Sequence, residues 1–85
     1  MDEKIITIKE MLGELSSDSS VPQNIRKGAE NISKLLSNED ESLETRKNKA
    51  FQLLEDMVSD INIDLYTRNN LYNTIAMVES LNGEV

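Results

Sequence analysis

The chain contains no cysteine, no histidine and no tryptophan, and each absence closes off a kind of chemistry. Without Cys there is no disulfide framework, no thiolate metal site, no redox pair and no thiol nucleophile. Without His the usual general base and the commonest transition-metal ligand are gone, and with them the usual Ser-His-Asp triad and Glu-x-x-His di-iron site. Aromatics are almost as scarce: Phe51, Tyr66 and Tyr72 are all there are, so a base-stacking platform for nucleic acid is not expected. Pro22 is the single proline, and Gly13, Gly28 and Gly83 stand far apart, which leaves no glycine-rich phosphate loop. No uninterrupted apolar run is long enough for a signal peptide or a membrane span. The expectation is a cytoplasmic protein with no membrane partner.

What the chain does have is charge of one sign. Sixteen acidic residues stand against nine basic ones in 85, for a net −7. Long-range repulsion of that sign opposes broad attachment to nucleic acid or to an anionic membrane. One domain fits this length, with a stability of about 0.05–0.15 kcal/mol per residue. Little core can be spared for a ligand cavity.

The apolar residues keep helical time almost throughout. Ile5, Ile8, Met11, Leu12 and Leu15 predict a first helix over about residues 3–16. The run Ser16-Ser17-Asp18-Ser19-Ser20 then breaks the pattern by bonding its own backbone. Ser20 with Gln23 three residues on, and Pro22 between them, reads as a capped start. The second helix, about 22–37, carries Ile25, Ala29, Ile32, Leu35 and Leu36. Gly28 shares that arc and predicts the close approach of another helix, because glycine there costs about 1 kcal/mol against alanine. Asn38-Glu39-Asp40-Glu41-Ser42 is a turn that loads negative charge at the start of a third helix, about 42–59, with Leu43, Ala50, Leu53, Leu54, Met57 and Val58. A fourth, about 63–81, carries Leu65, Leu71, Tyr72, Ile75, Ala76 and Val78, and Asn82-Gly83 reads as its stop. The apolar arcs of the last two helices are wider than a core-facing stripe requires. The second hairpin should therefore sit centrally or present a face to something else.

Sliding the chain against itself by 42 residues brings Leu12 onto Leu54, Ser17 onto Ser59, Asp18 onto Asp60, Arg26 onto Arg68 and Asn31 onto Asn73. The fold class expected is all-α, a single domain of two helix-turn-helix repeats, about 3–37 and 42–81, forming a four-helix bundle or array. Asp18, then Ile25-Arg26, then Ala29, Ile32 and Leu36 resemble the HEAT repeat, with an Asp in the turn followed by an aliphatic-Arg pair; Asp60 and Arg68 follow more loosely, with Thr67 in the aliphatic place. That resemblance implies structural roles for Asp18, Arg26, Asp60 and Arg68 in tying adjacent turns together, as turn or ion-pair residues; Arg68 falls within the apolar arc of its helix, where its fork of donors suits a carboxylate or carbonyls. Asp18, Ser20, Val21, Pro22, Asn24, Ile25 and Arg26 also resemble the signature of the archaeal uncharacterised protein family 0147, over essentially the whole chain. The second half departs from that pattern, with Asp64 where a proline is common. This resemblance implies a small all-helical protein of archaeal origin and supplies no substrate, cofactor or catalytic residue.

No catalytic residue, metal-ligand set or cofactor site is indicated. Glu39, Asp40, Glu41 and Glu44 lack the spacing and glycine of a calcium loop. Arg26, Lys27 and Lys34 with Arg46, Lys47 and Lys49 would form a basic face if the second and third helices align. Two repeats leave helix layers uncovered, so either the four helices close into a compact bundle or a protein partner or a second copy covers the ends, and such a partner is expected; Phe51, Val58, Tyr66, Tyr72 and Met77, at the edges of the apolar arcs, are interface candidates if they do not complete the core. The leading reading is a non-catalytic protein-interaction module. The alternative is an RNA- or ribosome-associated accessory protein using the basic face. No small-molecule substrate is evident.

Overall fold

A computed structural model describes residues 3–81 and places four helices in them: α1 Glu3–Ser17, α2 Gln23–Leu36, α3 Leu43–Val58 and α4 Leu65–Glu79. The periodicity located each within two residues. One cap differs from expectation. Ser20 is not the cap of α2, because Asp18 Oδ1 accepts both its N–H and its hydroxyl. Pro22 takes the N-cap position instead, with no side-chain bond. The Asn82-Gly83 stop lies outside the described residues.

Each helix packs against two others. α1 touches α2, α2 touches α3, α3 touches α4, and α4 returns to α1. Stacked repeats of the HEAT kind would lay α1 on α3 and α2 on α4. Neither contact occurs among the described residues. The short turns make sequence neighbours antiparallel, so the chain is an up-down-up-down bundle closed into a ring. Of the two expected forms, bundle or array, the chain therefore adopts the bundle, with α1–α4 packing covering the edges an open pair of hairpins would leave bare.

Inside the ring lies one core. Leu12, Ile32, Leu54 and Ile75, one from each helix, are all buried, and each stands five residues before the serine that ends its helix or follows it: Ser17, Ser37, Ser59 and Ser80. Ile8, Leu15, Ile25, Ala29, Leu36, Ala50, Leu71 and Val78 complete the packing, with Val21, Ile63 and Leu81 covering the ends. The Cβ that Gly28 lacks would come within 2.9 Å of Met57 Sδ. The glycine is thus the seat of the Met57 side chain, and the close α2–α3 approach is real.

Candidate functional site

The same local device builds all three turns. In each, an Asx side chain accepts the N–H two residues on: Asp18 from Ser20 (2.9 Å), Asn38 from Asp40 (3.1 Å) and Asp60 from Asn62 (2.9 Å). Eight residues after each Asx comes an arginine, the fourth residue of the next helix, whose guanidinium turns back onto backbone carbonyls. Arg26 Nε donates to Val21 O at 2.9 Å. Arg46 donates to Glu41 O at 3.1 Å and to Leu36 O, the last residue of α2, at 2.7 Å. Arg68 donates to Asp60 O at 3.1 Å and to Val58 O, the last residue of α3. These carbonyls lie at helix ends and turns, where no intrahelical donor serves them, and a fixed fork of five N–H donors suits them.

Asp18, Arg26, Asp60 and Arg68 consequently sit in their turns as backbone partners, and no carboxylate–guanidinium ion pair joins them. Among the described residues the one ion pair joins Lys49 to Glu41. Asp60 does reach sideways, accepting from Asn24 Nδ2 at 3.2 Å, which ties the third turn to the start of α2. The helix starts vary by a consistent rule. Ser42 and Asp64 accept the N–H of Thr45 and Thr67 through their side chains, whereas Pro22 has no side-chain acceptor and is followed at the same place by the buried Ile25, whose N–H the Pro22 carbonyl accepts. Thr67, the departure from the aliphatic pattern, is buried and hydrogen-bonded to the Asp64 carboxylate.

Ser20, through its hydroxyl and then its N–H, holds the Asp18 carboxyl below its ordinary value. Asp60 is lowered by the N–H of Asn62 and the amide of Asn24, and Asp64 by the hydroxyl and then the N–H of Thr67. These acids serve their turns.

The expected basic face divides. Arg26 and Arg46 are turned onto carbonyls. Lys47 Nζ donates to Leu81 O at 2.7 Å, and Lys4 Nζ to Ser80 O at 3.0 Å, so lysines from α3 and α1 close the end of α4. Lys49 is paired with Glu41. Lys27 and Lys34 alone point outward on α2 with no such bond. A shallow, open depression of about 460 Å³ runs beside Lys27, lined also by Gln23, Asn24, Gly28 and Asn31. A second, of about 390 Å³, lies between the start of α1 and the second turn, with Ile5, Lys9, Leu43 and Arg46 in its walls. No group of three or more acidic residues placed to hold a metal ion occurs among the described residues, and no described helix is long and apolar enough to cross a membrane.

The interface candidates divide too. Val58 is 7% exposed and belongs to the core, since it ends α3 facing the ring interior. Phe51 and Met77 pack half-buried against the core. Tyr66 and Tyr72 are 61% and 53% exposed. They share the outer face of α4 with Leu65, Asn69, Asn73 and Ala76, all exposed, at the spacing of a single helical stripe. Arg68 is the one charged residue of α4 before Glu79, and its guanidinium is turned into the turn. The other helices expose charge: Glu10 and Glu14 on α1, Lys27 and Glu30 on α2, Glu55 and Asp56 on α3. Leu65, 71% exposed on that stripe, and Ile61, 88% exposed in the preceding turn, escaped the sequence reading. The run of uncharged residues over 69–78 is the signal in the sequence that marks the face.

Fold and surface together define a small, acidic, closed four-helix protein with self-satisfied turns and one neutral, aromatic-bearing helix face. The family is shown by comparison: the model of the uncharacterised protein family UPF0147 matches residues 1–81, and the chain belongs to that family. It is similar to the UPF0147 protein of Thermoplasma volcanium, with 37% identity over 95% of this chain and 92% of that one. The UPF0147 protein of Methanosarcina acetivorans is 38% identical over 85% of this chain and 74% of its own. The fold matches the crystal structure of a UPF0147 protein from Thermoplasma acidophilum with a TM-score of 0.91 and 35% identity, covering 94% of each chain.

Proposed function

We propose that the chain is a small non-catalytic protein-interaction module of the archaeal cytoplasm, and that it meets a protein partner through the outer face of α4. The observation that carries this reading is the contrast between that stripe and the rest of the surface. A chain that is 29% charged leaves six exposed positions of one helix uncharged and puts two of its three aromatic residues among them. Depletion of charge with enrichment of Tyr is the compositional mark of an interface core. Exposed Tyr66 and Tyr72 have no packing role that would account for them. The non-catalytic part draws support from the occupation of the polar groups: the perturbed carboxylates bind turn N–H groups, and the arginines bind carbonyls.

The test is site-specific photo-crosslinking in cells of the native host. A photoreactive residue at position 69 is expected to give a discrete protein adduct that disappears in a Tyr66→Glu/Tyr72→Glu background. Adducts from positions on α1 or α3, with none from α4, would count against the reading. An RNA- or ribosome-associated role would rest on Lys27 and Lys34 alone once the other four cations are engaged. It predicts RNA binding that weakens steeply with salt, and we expect a low-salt RNA titration to give no such signal.

A further inference from the structure

We infer that the occupant of the α4 face is a second copy of this chain, docked α4 against α4 about a two-fold axis; this deepens the reading above and rests on it. The first ground is charge. Two copies, each at −7, repel one another at a distance, and a two-fold contact sets a patch against itself. The stripe from Leu65 to Ala76 exposes no charge, so copies meeting there avoid placing like charges in contact.

The second ground is the sense of its hydrogen bonds. An Asn amide both donates and accepts, and so does a Tyr hydroxyl. Asn69, Asn73, Tyr66 and Tyr72 can therefore satisfy one another across an axis, which a face of lysines or of carboxylates cannot do.

The third ground is area. A tyrosine buries about 150–250 Å² when covered. With Leu65 71%, Tyr66 61% and Tyr72 53% exposed, and Asn69, Asn73 and Ala76 beside them, the stripe offers several hundred Å². That is the order of the ~800 Å² each partner gives to a standard interface. The stripe is centred between Asn69 and Tyr72. An antiparallel crossing there sets Leu65 near Ala76 of the partner subunit and Asn69 near Tyr72 of the partner subunit.

The experiment is sedimentation equilibrium on the full chain from micromolar to millimolar concentration, at low and high salt. The wild type is expected to pass from its 9.6 kDa mass to twice that mass. Its dissociation constant should fall several-fold as salt screens the repulsion between copies. Tyr66→Glu/Tyr72→Glu should stay monomeric throughout with unchanged helical circular dichroism. Asn69→Asp, nearly the same shape, should weaken the dimer at least tenfold by setting like charges across the axis. A wild type that remains monomeric at millimolar concentration overturns the inference, as does a dimer indifferent to these substitutions or one that weakens with salt. If the dimer fails while the position-69 adduct to another protein still depends on Tyr66 and Tyr72, the docking face stands and its occupant is that other protein.

Discussion

Asp18, Asn38 and Asp60 occupy one geometry with two chemistries. All three accept the N–H two residues ahead, but only the two aspartates carry a charge whose loss matters. Their native carboxyls titrate below the ordinary value of 3.8 because N–H and O–H donors stabilise the ionised form. A depressed native value means stabilisation that is present above the unfolded-state value and is lost as pH falls through the native one. Asp18→Asn/Asp60→Asn keeps the acceptor in place, as Asn38 already does in the middle turn. The double variant should match the wild type near neutrality and lose less stability as pH falls below the ordinary carboxyl value of 3.8. Urea midpoints measured against pH check this; a profile running parallel to that of the wild type contradicts it. The carboxylates were legible in the sequence as turn formers, because an Asx at the end of an apolar period has few other uses. What each one binds was not legible, since Asn24 is brought to Asp60 only by the packing of α2 near the third turn.

At the scale of the element, the unit is one helix and one turn. The serines Ser17, Ser37, Ser59 and Ser80 each donate a hydroxyl to a last-turn carbonyl, and an Asx follows the first three. Successive units are 20, 22 and 21 residues apart, so a slide by one fixed step registers the outer turns and passes over the middle one. That is why Arg46 read as part of a basic face. Arg46→Ala frees the carbonyls of Leu36 and Glu41 and should destabilise by about 1–3 kcal/mol, the cost of leaving an acceptor unsatisfied. Arg46→Lys should recover only part of that, because one ammonium cannot reproduce the fork. Thermal or urea unfolding decides; equal stability of Arg46→Ala and wild type would remove the arginine from its role. At Gly28 a methyl group displaces only the flexible end of Met57, while alanine gains about 1 kcal/mol of helix propensity. Gly28→Ala should lie within about 1 kcal/mol of the wild type, and Gly28→Leu should cost about 1–3 kcal/mol by overfilling the α2–α3 contact. The same unfolding assay ranks the two.

For the whole molecule, the decisive contact is α1 with α4. It turns two hairpins into a ring in which each helix has two neighbours. A hairpin alone leaves about half of its buried stripe in water, and isolated helices of this length are marginal. Peptides spanning 3–41 and 42–81 should be mostly unfolded apart and regain helicity when mixed. Circular dichroism of each peptide and of the mixture measures this; a stable, helical 42–81 alone would show that the halves fold independently.

The number, bounds and type of the helices were determined by the sequence itself, because a 3.6-residue apolar period and local Asx, Ser and Arg chemistry act within one turn of chain. Family membership also lies in the chain alone. The tertiary structure decided everything that depends on which helix stands beside which. It chose a closed bundle where the repeat admitted a bundle or an array, buried Val58, turned four of the six basic residues inward or onto a partner, and left Leu65, Tyr66 and Tyr72 in water. A wide apolar arc records that a helix has surplus hydrophobic surface. Only the packing of its neighbours determines which part of that arc is covered, and on α4 the uncovered part is the neutral stripe.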